Sequence, residues 1–121
     1  MIEKQFRFQD FEIWKRAADL SMTLFKVADE LDRRKLYRFG EQFRAATLSI
    51  TNNIAEGSGS TSDVEFRNFL NMSRRSVFEV ANMLILFTKR SIVSESTTAP
   101  LIQGLEEQSR MTLAFMRHLR P

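Results

Sequence analysis

The polar side chains best placed for chemistry in this chain lie between Gln42 and Gly57. Gln42, Ser49, Asn53 and Glu56 follow one another at spacings of seven, four and three residues, so they share one face of a predicted helix. Ser and Asn are mediocre helix formers, so helix propensity does not explain their presence. We favour a buried polar network that fixes helix register or subunit contacts. The alternative is a contact surface for RNA or for a partner protein.

Catalytic and metal-binding patterns are not evident elsewhere in the sequence. The chain has no cysteine, and its one histidine, His118, is not part of a Glu-x-x-His pair, which a di-iron bundle requires. Gly57–Ser60 resembles a phosphate-binding loop but lacks the Gly-Lys-Ser/Thr ending, so we interpret it as a turn. Glu56 and Glu79 are better explained as structural partners of Arg or Asn than as an acid–base pair. We therefore predict no enzyme activity, cofactor, metal or small-molecule substrate.

Four segments carry apolar side chains at spacings of three and four residues, which is typical of amphipathic helices. The predicted helices cover about residues 11–31, 36–56, 62–90 and 99–119. Short connections make neighbouring helices antiparallel. The sequence thus predicts an all-α fold, an antiparallel up-down-up-down four-helix bundle that forms one domain over residues 1–121.

Local signals predict how these helices begin and end. Asp10 is the expected N-cap of the first helix, and Ser62 opens a capping box for the third. Gly57 is expected to end the second helix in the left-handed conformation. Pro100 suits the first turn of the fourth helix, because a proline there loses no hydrogen bond.

The first helix carries a wider apolar face than one partner helix needs. Phe11 and Trp14 lie on a second stripe beside the main one, and Phe6 and Phe8 precede the helix in a short arm. Large exposed apolar patches usually mark interfaces. We therefore predict a homo-oligomer with Phe6, Phe8, Phe11 and Trp14 at the interface.

Basic residues are clustered although the formal net charge is only +3. Some of these basic residues are expected to pair with carboxylates four residues away, for example Arg75 with Glu79. The simplest explanation of the clusters is a basic face exposed to solvent. In a ring of subunits, however, each unpaired arginine recurs, which makes phosphate binding credible. The nucleic-acid-binding candidates are Arg33, Arg34, Lys35, Arg38, Arg74, Arg75, Arg117 and Arg120.

The sequence carries no apolar run long enough to cross a bilayer, and its N-terminal residues do not form a signal-peptide core. The absence of cysteine also fits a reducing compartment. We expect a cytoplasmic protein with no membrane partner.

Three sequence runs resemble the 23S rRNA intervening-sequence proteins, a family of four-helix bundles. The most specific run is Ser49-Ile50 followed by Asn53-Ile54-Ala55-Glu56-Gly57, with Gln42 and Arg44 preceding it as further signature residues. Phe11–Lys15 resembles the opening motif of the family. Phe66–Leu70, followed by Ser76 and Glu79, resembles its third-helix motif.

The resemblance implies ring-like homo-oligomers, expected to be pentamers, and a kinship with basic bundles that serve reverse transcriptases in diversity-generating retroelements. This chain departs from the family pattern at Ala45, Thr51 and Arg75, and Arg75 replaces a glycine beside Ser76. We expect a non-enzymatic oligomer that binds nucleic acid, RNA or DNA, through backbone phosphates. The alternative is an interaction scaffold that binds a partner protein and no nucleic acid. Glu56 is expected to lie near Arg44 or near an arginine of a neighbouring subunit.

Overall fold

Four long helices make up most of the computed structural model, which describes residues 2–121. A short 3-10 turn at Arg7–Asp10 precedes them. The helices are α1 (Glu12–Arg33), α2 (Tyr37–Ser58), α3 (Asp63–Lys89) and α4 (Glu95–Met116). Residues 2–121 contain no β-strand.

The helices form a closed four-membered arrangement. Each helix packs against its neighbours in sequence, and α1 also contacts α4, with α2 and α3 sharing the largest contact. Short connections between long helices that pack side by side make the neighbours antiparallel. The prediction of an all-α, up-down-up-down bundle is therefore confirmed.

One apolar core runs through the bundle and receives side chains from all four helices. Leu24 of α1, Phe43 and Ile54 of α2, Leu70 of α3 and Leu105 of α4 are almost completely buried. Burying a side chain of this size contributes about 1.5–3 kcal/mol each. The three-and-four periodicity of the sequence is the reason these residues meet in the centre.

The predicted N-cap of α3 is confirmed, whereas the predicted N-cap of α1 is wrong. The Ser62 side chain accepts a hydrogen bond from the Glu65 backbone N–H at 3.2 Å, as an N-cap does. Asp10 is not the N-cap of α1, because its carboxylate forms an ion pair with Lys4. Phe11 occupies the N-cap position of α1 and makes no side-chain cap bond.

Helix α4 begins four residues before the predicted start at residue 99 and ends at Met116, before the predicted end at residue 119. Ser94 is the N-cap, and its Oγ accepts a hydrogen bond from the Thr97 backbone N–H at 3.2 Å. Pro100 consequently lies inside the helix and not in its first turn. The Ser- and Thr-rich segment before Pro100 looks like a loop in sequence, but the Ser94 cap suffices to start a helix there.

The left-handed conformation that we expected of a glycine occurs instead at Lys35 and Ser91, which follow α1 and α3 with φ of 64° and 59°. No glycine in residues 2–121 has a positive φ. Two backbone hydrogen bonds close the turn at Lys35. The Leu36 N–H donates to the Leu31 carbonyl oxygen at 2.9 Å, and the Lys35 N–H donates to the Asp32 carbonyl oxygen at 2.9 Å. This pair of bonds is the Schellman motif, which satisfies the last carbonyls of a helix.

Gly57 serves close packing between helices and lies inside α2. A Cβ atom at Gly57 would lie 2.7 Å from the Phe69 Cβ and 2.8 Å from the Phe66 Cδ1 of α3. Both distances are far below van der Waals contact, and the Phe69 Cβ is fixed to the α3 backbone. Gly57 thus allows the end of α2 to approach α3, where Phe66 is buried.

We expect Gly57→Ala to lower the free energy of unfolding by about 1–3 kcal/mol, because the added methyl group overpacks the contact with Phe66 and Phe69. The matched control is Gly59→Ala, where the nearest atom to a Cβ is the Glu56 carbonyl oxygen at 3.4 Å and φ is −85°. That control should be neutral or slightly stabilising. Urea unfolding followed by far-UV circular dichroism measures both variants, and equal stability of the two would refute the packing role of Gly57.

Candidate nucleic-acid interface

The polar stripe of α2 divides into a network with α3 and two exposed side chains. Asn53 Nδ2 donates to the carbonyl oxygen of Ser49 at 2.8 Å and to its Oγ at 2.9 Å. Ser76 Oγ of α3 lies 2.8 Å from Ser49 Oγ and 3.1 Å from the Met72 carbonyl oxygen. Ser76 Oγ donates to Ser49 Oγ, which also accepts from Asn53, so the Ser49 hydroxyl links α2 to α3.

A second bond beside this network fixes the same pair of helices. The buried Ser73 Oγ donates to the Ile50 carbonyl oxygen of α2 at 2.8 Å. Together with the Ser49–Ser76 contact, it sets the register of α2 against α3. Gln42 and Glu56, the other two members of the stripe, are exposed and lie outside the network.

Arg44 joins α2 to α1 and not to Glu56. Its Nη2 lies 2.7 Å from Asp29 Oδ1 and 2.8 Å from Asp32 Oδ2, and we call this arrangement the Arg44 clamp. The hydrogen bond to Asp32, followed by that to Asp29, raises the pKa of Arg44 above its ordinary value. Glu56 lies three turns away at the opposite end of α2, so the expected proximity to Arg44 is wrong.

A close backbone approach supports the clamp. A Cβ atom at Gly40 would lie 2.4 Å from Asp32 Oδ1 and 3.3 Å from the Ala28 carbonyl oxygen of α1. Gly40 is buried, and its lack of a side chain leaves room for the Asp32 carboxylate to reach Arg44. The first turns of α2 are therefore held tightly against the end of α1.

The eight basic residues predicted from the sequence occupy three separate places in the fold. Four lie at the α1–α2 connection, two lie midway along α3, and two follow α4 at the opposite end of the bundle. In that order they are Arg33, Arg34, Lys35 and Arg38; Arg74 and Arg75; Arg117 and Arg120. They do not form one continuous surface.

The α3 candidates differ from each other. Arg74 is half-buried, and its Nε and Nη2 donate to the Ser109 carbonyl oxygen and Oγ at 3.3 Å each, so it joins α3 to α4. Arg75 is exposed and makes no ion pair with Glu79 among the described residues. Arg117 and Arg120 are also exposed, and the Arg120 backbone N–H donates to Asp63 at 3.0 Å.

The antiparallel fold adds two cations to the α1–α2 connection. One end of the bundle is formed by the ends of α1 and α3 and by the starts of α2 and α4. There the Phe39 ring of α2 packs on the Phe87 ring of α3, with 5.5 Å between ring centroids. Lys89 and Arg90 follow Phe87 directly. We call the resulting cluster the basic end: Arg33, Arg34, Lys35, Arg38, Lys89 and Arg90. Lys89 and Arg90 are a visible basic pair in the sequence, but they are not among the predicted candidates, because only the topology brings them to the same end as Arg38.

Carboxylates neutralise only part of the basic end. Glu30 lies 2.6 Å from Arg33 Nη2 and 3.5 Å from Arg34 Nε, and the hydrogen bond from Arg33 is the main cause of the lowered pKa of the Glu30 carboxyl. Asp29 and Asp32 are occupied by the Arg44 clamp. Within residues 2–121, the remaining four cations of the basic end form no ion pair and are exposed; they are Lys35, Arg38, Lys89 and Arg90.

The aromatic residues predicted for an oligomer interface pack mainly within the protomer. Phe11 lies against Phe115 at 5.1 Å between centroids, and Trp14 lies against Phe8 at 5.2 Å. These residues are half-buried. Only Phe6 is mostly exposed, at 63%, with its ring stacked on Phe8.

Residues 2–121 contain no group of three His, Cys, Asp or Glu side chains close enough to hold a metal ion. None of the helices there has both the length and the apolar character needed to cross a membrane.

A family model described as "23S rRNA-intervening sequence protein" matches residues 9–114. The chain is also similar to the crystal structure of a protein of unknown function from the S23 ribosomal protein family of Bacteroides thetaiotaomicron. The TM-score is 0.82 at 16% sequence identity, over 87% of this chain and 98% of that one. At this identity the likeness concerns the fold alone. No curated protein sequence matches the chain.

Proposed function

This chain belongs to the family of 23S rRNA-intervening sequence proteins, and from that starting point we propose that it binds nucleic acid, RNA or DNA, without catalysing a reaction. The contacts are made to backbone phosphates by the basic end. The observation that carries this proposal is a set of four exposed cations at one end of the bundle that form no ion pair within residues 2–121: Lys35, Arg38, Lys89 and Arg90.

Phosphate contacts of this kind need charge and exposure but no sequence-specific geometry. Each Lys or Arg that neutralises a phosphate releases a counterion, so affinity depends on the number of free cations and on salt. At the basic end, Asp29 and Asp32 pair with Arg44. At the opposite end, Lys4 pairs with Asp10, and Arg7 donates to the Ser58 carbonyl oxygen at 2.8 Å. The other exposed cations there are Lys15, Arg117 and Arg120, and the Arg120 backbone N–H donates to Asp63.

We also propose that copies of the chain associate, which would repeat the basic end in each subunit. The support is an apolar stripe on the outer face of α3, where Val64, Phe78 and Ile85 are 54%, 62% and 44% exposed. Their spacings of fourteen and seven residues keep them on one face. Phe78 and Ile85 also line a groove of about 400 Å³ that Ile102 of α4 completes. The pentamer implied by the family resemblance is the assembly that we expect.

A protein-interaction scaffold is the second candidate function. The same α3 face favours it, because exposed Phe78 and Ile85 suit a partner protein as well as a second copy. The two functions differ in their response to charge and salt.

Charge reversal at the basic end tests nucleic-acid binding. We expect Arg38→Glu with Lys89→Glu to weaken binding to RNA by at least about tenfold at low salt and to reduce the slope of log K against log salt by about two, since each lost phosphate contact removes about one. The matched control is Arg117→Glu with Arg120→Glu, which changes the net charge equally at the opposite end. Equal losses for the two pairs in fluorescence anisotropy titrations would contradict the assignment to the basic end.

The α3 stripe makes a prediction about assembly. We expect Phe78→Glu to convert the oligomer to a monomer in light scattering at micromolar concentration, because burying a charged side chain at the contact costs its hydration and removes the apolar ring. Leu86→Glu is the control, since Leu86 is a half-exposed residue of α3 that does not line the groove. A wild-type chain that is already a monodisperse monomer would refute self-association.

A further inference from the structure

We propose that the nucleic acid bound at the basic end is single-stranded, and that Tyr37 is the surface on which one of its bases stacks. This inference rests on the proposed function and adds the class of ligand to it. Tyr37 is the first residue of α2, is 60% exposed, and stacks on no other aromatic ring in residues 2–121. It is the only tyrosine of the chain.

The backbone that carries Tyr37 is fixed on both sides. Before it, the turn through Lys35 is closed by the two backbone bonds at 2.9 Å that end α1. After it, Phe39 packs on Phe87 of α3, with 5.5 Å between ring centroids. A planar side chain with few rotatable bonds on a rigid backbone loses little conformational entropy when a base stacks on it.

The surroundings of Tyr37 supply cations for the phosphates on either side of a stacked base. Lys35 and Arg38 flank it in sequence, and the Phe39–Phe87 contact brings Lys89 and Arg90 to the same end of the bundle. An aromatic face among backbone-neutralising cations is how proteins bind single strands without sequence preference, because every base has a π-face. A site that binds phosphates by charge alone does not need an exposed aromatic ring.

A duplex does not fit this arrangement equally well. Its bases are already stacked and paired, so a base would have to leave the helix before it could reach Tyr37. A flexible single strand presents a base to the ring while its phosphates contact the flanking cations. Tyr37 therefore favours a single strand over a duplex, whereas the lysines and arginines bind the phosphates of either.

The test uses the full chain and a labelled RNA oligonucleotide of mixed sequence, measured alone and annealed to its complement. We expect Tyr37→Ala to weaken binding of the single strand by about tenfold, which corresponds to about 1.4 kcal/mol of base stacking. Binding of the duplex and the salt slope should not change, because no cation is removed. Tyr37→Phe keeps the ring and should bind the single strand within about twofold of wild type.

Met22→Ala, at an exposed apolar residue of α1 away from the basic end, is the control, and circular dichroism verifies that each variant keeps its helicity. If Tyr37→Ala binds the single strand as tightly as wild type, or weakens the duplex equally, or if Tyr37→Phe fails to restore binding, the stacking role is wrong while phosphate binding stands. If wild type binds neither form at low salt, both this inference and the proposed function are refuted.

Discussion

The Arg44 clamp is the interaction on which the basic end depends. One guanidinium reaches two carboxylates of the preceding helix, Asp29 and Asp32, and Gly40 removes the side chain that would otherwise block Asp32. The clamp fixes the start of α2 against the end of α1, and its ion pairs are partly exposed, so their contribution to stability is small. It also has an electrostatic consequence, because the charge of Arg44 offsets one of the two negative charges of Asp29 and Asp32.

Glu30 is the carboxylate that forms ion pairs with two cations of the basic end, Arg33 and Arg34. Its lowered pKa means that the interaction with Arg33 and Arg34 is present above the ordinary pKa of a glutamate and is lost as pH falls through the lowered value. Protonation therefore releases two further cations at the same end. These ion pairs leave the small net charge unevenly distributed over the bundle. Self-association through the α3 stripe would repeat the basic end in every copy.

The periodicity of apolar residues was sufficient to predict the bundle, because burial of one face per helix determines the fold class. The Ser62 cap was predictable from a local sequence pattern. Glycine roles were not predictable from local rules: Gly57 faces Phe66 and Phe69, residues of another helix, and the left-handed positions belong to Lys35 and Ser91. The candidate site was predictable only in part. Arg38 and its neighbours are visible in sequence, whereas the partners of Arg44 and the approach of Lys89 and Arg90 arise from packing between helices.

The salt dependence of RNA binding by the unaltered chain tests the central claim most directly, because it counts the cations that meet phosphates. Four free cations per basic end predict a slope of log K against log salt of about −3 or steeper, with measurable binding at about 50 mM salt. A slope near zero, or no binding at low salt, would contradict the account and leave the protein-interaction scaffold as the function to pursue.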